Sequence, residues 1–180
     1  MYSGNIGLYY DLENIIKVIG EFKDSEEVVF AFVGDGTVKE RIQTYSEDNN
    51  LQNVIFIPYQ KKEDLIYSLN AADIHLVTNQ KGIKGVSVPS KVYGVMAAGK
   101  AVLGVLEQGS EAQLLIEKSK CGIVVEPQDY NGIKQAIQDF INHKDDIKTI
   151  GLNGRHLLEQ QLTKDKSINR YNQTIKQLFN

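Results

Sequence analysis

The sequence predicts an α/β fold: a Rossmann-like open parallel sheet of about six strands, flanked by helices and followed by a helical C-terminal tail. Three observations carry this. Short continuous apolar runs recur along the chain, amphipathic runs separate them, and roughly the last forty residues hold no strand run. With 180 residues, 42% of them hydrophobic, the chain can bury one sizeable core, so a single domain over 1–180 is expected.

The elements follow in order. Tyr2–Ser3 opens the chain as a strand. Leu12, Ile15, Ile16 and Ile19 then recur at helical spacing. Val28–Val33 is a β-prone run closed by Gly34-Asp35-Gly36, and Asn53–Ile57 is another, stopped by Pro58. Leu65, Leu69 and Ala72 mark a helix before the run Ile74–Thr78. Pro89 suits a first helical turn, which places Val88 near the N-cap and Ser90 and Lys91 inside that turn. Ala101–Leu106 and Gly122–Val125 are the remaining strand runs. Between them Leu114, Leu115 and Ile116 lie in a helix opened by Ser110 with Glu111 behind it. Asp129 opens a helix carrying Ile133, Ile137, Phe140 and Ile141. Asp145–Gln161 and Lys164–Phe179 form the helical tail. Runs apolar throughout their length suit strands buried on both faces, hence a parallel sheet with right-handed crossovers.

Composition narrows the function classes. A net charge of −3 lacks the basic excess of a nucleic-acid binder, so no nucleic-acid partner is expected. The single cysteine, Cys121, permits no disulfide or Cys-based zinc site within one chain, which suits a reducing cytosol. No apolar run approaches the ~20 residues that span a bilayer. No signal peptide is visible. The first strand starts directly after Met1, so a domain ahead of it is expected in the complete protein. The expected localisation is cytoplasmic, at the inner face of the membrane in that complete form.

Ligands of open α/β sheets bind beyond the C-terminal strand ends. After the first strand stands Gly4-Asn5-Ile6-Gly7, whose glycines allow backbone to bend closely around a ligand. After the second stands Gly34-Asp35-Gly36, a tight turn into a helix. After the third, Pro58-Tyr59 offers an aromatic face to a planar base. After the fourth runs a glycine-containing polar loop, Thr78–Ser90, leading to Lys91. A cation at a helix N-terminus is disfavoured by the helix dipole. It makes sense when it shares a bound phosphate with the backbone donors. His75 lies within a strand run, and His143 and His156 in the helical tail, so all three read as structural. No metal cluster, dinucleotide fingerprint, P-loop or Ser-His-Asp grouping is readable, so no metal or cofactor is expected.

At this point the residues resemble a known family. The stretches YSGNIG (2–7), DLENII (11–16), FVGDG (32–36) with ERI (40–42), NVIFIPY (53–59), KKEDLIYSLNAADIHLVT (61–78), VPSKVYGVMAAGKAV (88–102) and CGIVVEPQD (121–129) are similar, in order, to the C-terminal domain of glycosyltransferase family four, one half of a GT-B enzyme. The resemblance implies a nucleotide-diphosphate sugar donor, most often uridine-linked, and retaining transfer without a metal. It implies a separate N-terminal acceptor domain, and peripheral membrane association through that domain. It places the glycine-rich loop on Gly4, Asn5 and Gly7, and base-proximal segments on Gly34, Asp35, Gly36, Pro58 and Tyr59. The diphosphate and sugar loop falls on Gly85, Val86, Ser87, Val88, Ser90 and Lys91. The family's glutamate pair would fall on Val86 and Gly94, and its basic pair on Asn5 and Tyr10, so both pairs are missing here. Lys91 is the best remaining cation, with Lys81 and Lys84 in the same loop. The Pro-Ser-Lys-x-Tyr pattern resembles a subgroup associated with aminodeoxysugars and exopolysaccharide assembly. The alternatives are a sugar-nucleotide 2-epimerase and a degenerate, non-catalytic binding module. A signalling receiver domain would need acidic first and third strand ends and a lysine at the fifth; Gly4, Pro58 and Glu107 stand there instead.

Overall fold

The computed structural model describes residues 1–179. Strands and helices alternate: β1 (Tyr2–Ser3), α1 (Leu12–Gly20), β2 (Phe30–Val33), α2 (Lys39–Asp48), β3 (Val54–Ile57), α3 (Leu65–Asn70), β4 (Ile74–Thr78), α4 (Lys91–Ala97), β5 (Ala101–Val105), α5 (Glu111–Ser119), β6 (Gly122–Val125) and α6 (Tyr130–Asn142). Two helices follow, α7 (Ile147–Gln161) and α8 (Lys164–Leu178). Asp129 caps α6 as the sequence predicts, its side chain accepting from the Gly132 N–H at 2.9 Å.

All pairings are parallel, but the six strands form two ladders, β1-β2-β3 and β4-β5-β6. Met1 bridges them. Its amine donates to the Ile74 carbonyl at 2.7 Å, and its carbonyl accepts from Leu76 N–H at 2.9 Å. The spatial order is therefore 3-2-1-4-5-6, with the direction of winding reversing at the β1/β4 seam. The seam is narrow because β1 is two residues long.

Two apolar clusters flank the ladders. One packs α1 and α6 on the sheet through Ile15, Ile19, Phe32, Leu103, Ile133 and Phe140, spanning both ladders. The other packs α4, α5 and α7 behind β4–β6 through Val77, Val95, Met96, Val102 and Ile116. Every residue of β5 is buried, as a central parallel strand requires. β3 is less covered, and Ile55 is exposed, because α3 is short and buries none of its residues.

Three local expectations are corrected. Helix α4 begins at Lys91, not Pro89, with Ser90 at the N-cap and Pro89 buried before it. Ser110 occupies the N-cap of α5, but its hydroxyl makes no capping bond. That helix buries Ala112, Gln113 and Ile116, while Leu114 faces solvent. The tail helix α8 forms over the predicted span, yet Ile168, Tyr171, Ile175 and Leu178 are all exposed.

Candidate functional site

The predicted segments gather at the C-terminal ends of the strands, over the seam where ligands of this topology bind. The Gly4–Gly7 loop leaves β1 on one ladder, and Lys91 enters α4 after β4 on the other.

The loops after β1 and β2 are interlocked through their backbones. Gly4 N–H donates to Val33 O and Ile6 N–H to Asp35 O, both at 2.8 Å, and Val38 N–H returns to Ile6 O at 3.1 Å. Gly34 has φ +138°, and a Cβ there would overlap the Gly4 carbonyl. The Gly34–Gly36 turn, read from the sequence as a tight turn into a helix, thus packs its backbone directly against the first loop. Tyr59 stands exposed at the rim, its hydroxyl 3.5 Å from the Asp35 carbonyl, which joins the two base-proximal segments.

Lys91 reaches back over the first loop instead of lining its own helix end. Its side chain crosses Gly4, and its Nζ donates to the Tyr2 hydroxyl. That ammonium lies 3.7 Å from the centre of the Tyr2 ring and 4.3 Å from that of Tyr10. The Tyr2 hydroxyl in turn donates to the Asn5 carbonyl, so one phenol fixes both the lysine and the glycine loop. The Tyr9–Tyr10 segment is held in place by two bonds from the β4 end. Thr78 Oγ1 donates to the Tyr10 carbonyl at 3.1 Å, and Gln80 N–H donates to Tyr9 O at 2.7 Å. Among the described residues Lys91 makes no ion pair. Two aromatic faces favour its charged form. Burial opposes it and prevails, lowering the amine to about 7. Burial first, then the neighbouring Tyr10 and Tyr59, pushes the Tyr2 phenol far up, so it stays neutral.

The loop after β4 is organised by Glu107, which the sequence marks only as a strand-end residue. Glu107 follows closely on the buried strand β5. Its Oε2 accepts the N–H of Gly82 at 2.9 Å and of Lys84 at 3.0 Å. Lys84 Nζ is committed to the Gln108 carbonyl at 2.6 Å, so it is not a free cation in the cleft. Asn79 Nδ2 donates to the Ser87 carbonyl at 3.1 Å. Between these anchors Gly85, Val86, Ser87 and Val88 are exposed, as are Lys81, Pro58 and Ser90. A carboxylate at the end of a wholly apolar strand run was the available signal for Glu107. For Tyr2 and Tyr10 no spacing rule marks the pair.

Gly4, Asn5 and Lys91 are thus brought together; Gly34, Asp35 and Gly36 support them with Tyr59; and the 85–88 loop forms an exposed flank. His75 is buried and bonded through Nε2 to the Leu69 carbonyl at 2.9 Å, while His143 bonds the Asp139 carbonyl and His156 is exposed. A cavity of about 1030 Å³ lies at the opposite end of the strands, between Val28–Phe30, Asp73–Ile74 and Gly99–Lys100. It is mainly apolar and contains none of the predicted site residues. Among the described residues no helix is long and apolar enough to cross a membrane, and no group of three or more His, Cys, Asp or Glu could hold a metal.

Known proteins resemble this chain in sequence and fold. Residues 1–157 match the family described as Glycosyl transferases group 1. The chain is 28% identical over 178 residues to the probable glycosyltransferase WbjE of Pseudomonas aeruginosa, covering 99% of this chain and 44% of WbjE. It is 33% identical over 142 residues to WcaI of Escherichia coli (strain K12), assigned to colanic acid biosynthesis as a glycosyl transferase, covering 76% of this chain and 35% of WcaI. It therefore spans less than half the length of either relative. Among solved structures, a mutant of S. aureus TarM in complex with fondaparinux, alpha-GlcNAc-glycerol and UDP superposes with a TM-score of 0.78. Sequence identity there is 19%, covering 96% of this chain and 34% of TarM. At that identity the likeness shows the fold alone; it is the match across residues 1–157 that places this chain in the group 1 glycosyl transferase family.

Proposed function

We propose that this chain is the donor-binding, C-terminal half of a GT-B enzyme of glycosyltransferase family four. In this reading it takes a UDP-linked sugar for retaining transfer in cell-surface polysaccharide assembly, in the cytoplasm at the inner face of the membrane. An N-terminal domain of the same enzyme supplies the acceptor site. The observation that carries the reading is the convergence of the Gly4–Gly7 loop and Lys91 across the β1/β4 seam. UDP bound in a protein of the same fold supports the choice of base. Colanic acid assembly by a 33%-identical relative supports the polysaccharide role.

The chemistry follows from the residues present. A diphosphate leaving group gains negative charge as the glycosidic bond breaks. A lysine ammonium beside the diphosphate in a low-dielectric cleft stabilises that charge without reorganising water. In this reading Lys91 supplies that charge, and the exposed Tyr59 ring packs against the base. This half contributes positioning and charge stabilisation, and the geometry of attack belongs to the acceptor domain.

The test is a thermal-shift comparison of UDP, GDP and ADP without added divalent metal, followed by calorimetry with UDP and uridine. UDP raises the melting temperature most, since a ligand bound only by the native state stabilises it. Lys91→Ala weakens UDP about tenfold or more and leaves uridine nearly unchanged. Equal shifts with all three nucleotides, a strict need for magnesium, or an unchanged UDP affinity in the variant would each defeat the reading.

A further inference from the structure

We propose that Lys91 takes up a proton when a diphosphate enters the cleft, so that donor binding is coupled to pH through the Tyr2–Lys91–Tyr10 stack. This rests on the reading of the cleft as a nucleotide-diphosphate site.

The geometry gives the lysine a resting place with no anion in it. Its Nζ is set between two ring faces and bonded to a phenol whose own proton is used on the Asn5 carbonyl. The acidic and basic groups on the surrounding elements are engaged elsewhere. Asp11, next to Tyr10, accepts from Tyr130 at 2.9 Å and Asn14 at 2.7 Å. Asp35, on the loop after β2, accepts the N–H of Gly36, and Lys39 donates to the Gly34 carbonyl at 3.0 Å. Glu107, from the β5 end, is held by the Gly82 and Lys84 amides. On α4 itself Tyr93 is bonded to Glu111. Burial lowers the Lys91 amine to about 7, so in the free chain it is mostly neutral at pH 8.

A diphosphate supplies the missing counter-charge. An anion within a few ångströms favours the ammonium, and its binding therefore draws a proton from solvent onto Nζ. The bond formed is N–H at Lys91, and the proton comes from buffer. At pH 8 the terminal phosphate of UDP is already ionised, its second ionisation lying near ~6. The uptake then belongs to the protein. Affinity falls with rising pH once the free lysine is neutral and its bound form is not. The expected drop is about tenfold between pH 7.5 and 8.5.

The experiment titrates UDP into the 180-residue chain at pH 8 in Tris and in HEPES, which differ in ionisation enthalpy. The difference in observed heat gives the proton uptake. The expected result is uptake approaching ~1 proton per UDP, which disappears in Lys91→Arg because a guanidinium stays charged. The affinity of that variant changes less than about twofold between pH 7.5 and 8.5. A direct measurement guards against a misfolded variant. In the free wild-type chain, one lysine Cε resonance should titrate near 7, and it should be absent from the Lys91→Arg spectrum. UDP binding without proton uptake overturns this inference and leaves the donor-site reading standing. Uptake that persists in Lys91→Arg, or lysines that all titrate near ~10, overturns it too. A chain that binds no UDP at any pH overturns both.

Discussion

The Lys91 side chain lies across the α-carbon of Gly4: a Cβ built there would come within 2.8 Å of Lys91 Cε. Gly4 also sits at φ +133°, a conformation that residues with a side chain rarely adopt. Two separate penalties therefore meet at one position. Gly4→Ala should lower stability by about 1–3 kcal/mol and displace the lysine from its aromatic seat. Chemical denaturation of Gly4→Ala, Lys91→Ala and the double variant separates the terms. The double variant should be more stable than the sum of the single effects, because strain remains but the collision does not.

Gly34 and Gly85 both have positive φ but differ in surroundings. A Cβ on Gly34 overlaps the Gly4 carbonyl, whereas one on Gly85 meets nothing within 4 Å. Gly34→Ala should cost about 3 kcal/mol or more, since backbone must move. Gly85→Ala should cost only about 1 kcal/mol, from conformation alone. Urea midpoints at equal slope provide the comparison, and equal losses would show that the interlocked loops carry no weight.

Glu107 holds the loop after β4 by two backbone N–H groups in an exposed setting. Glu107→Ala should change global stability by less than about 1 kcal/mol, as exposed charged contacts generally do. Local order should respond more. The Gly82 and Lys84 amides should exchange hydrogen at least about tenfold faster. UDP affinity should fall severalfold through loss of loop order. Unchanged exchange at both amides would remove Glu107 from this role.

His75 should make stability depend on acidity. Its ring is buried, and burial, with the chain's terminal amine, lowers it from 6.5 to about 4. Below 6.5 the unfolded chain binds a proton there that the folded chain refuses. Stability is therefore full above about 6.5 and is lost as pH falls toward 4, by up to roughly 3 kcal/mol. His75→Gln keeps a donor for the Leu69 carbonyl and removes the titration. Its stability should vary less between about pH 6.5 and 4.5 than that of wild type, as read from denaturation midpoints.

Strand runs were the most legible part of the sequence. Ile74–Thr78 and Gly122–Val125 are strands over their whole predicted spans, and Val28–Val33 loses only its first two residues, with Val29 exposed. Continuous apolar runs bounded by glycine, proline or charge leave little other choice. The start of α4 was misplaced because Pro89 satisfies a first-turn preference without being forced into it; it lies buried ahead of the helix instead. The loops of the candidate site are marked in the sequence by their place after each strand. The direction of Lys91 was not, because it depends on a contact 89 residues away in sequence with Tyr2. Nothing in local spacing encodes that distance. The exposed stripe of α8 was equally hidden, since helical periodicity predicts a face and not what covers it.

The seam at Met1 bears on how a bound molecule would be felt by the whole sheet. Two hydrogen bonds join the ladders there, and the proposed cleft straddles the same line, with one wall on each side. A molecule gripping both walls acts as a clasp at the place where the sheet is least stitched. Its binding would be expressed less as local tightening than as cooperativity between the halves, so that β1–β3 and β4–β6 protect their amides together when occupied and in separate steps when empty.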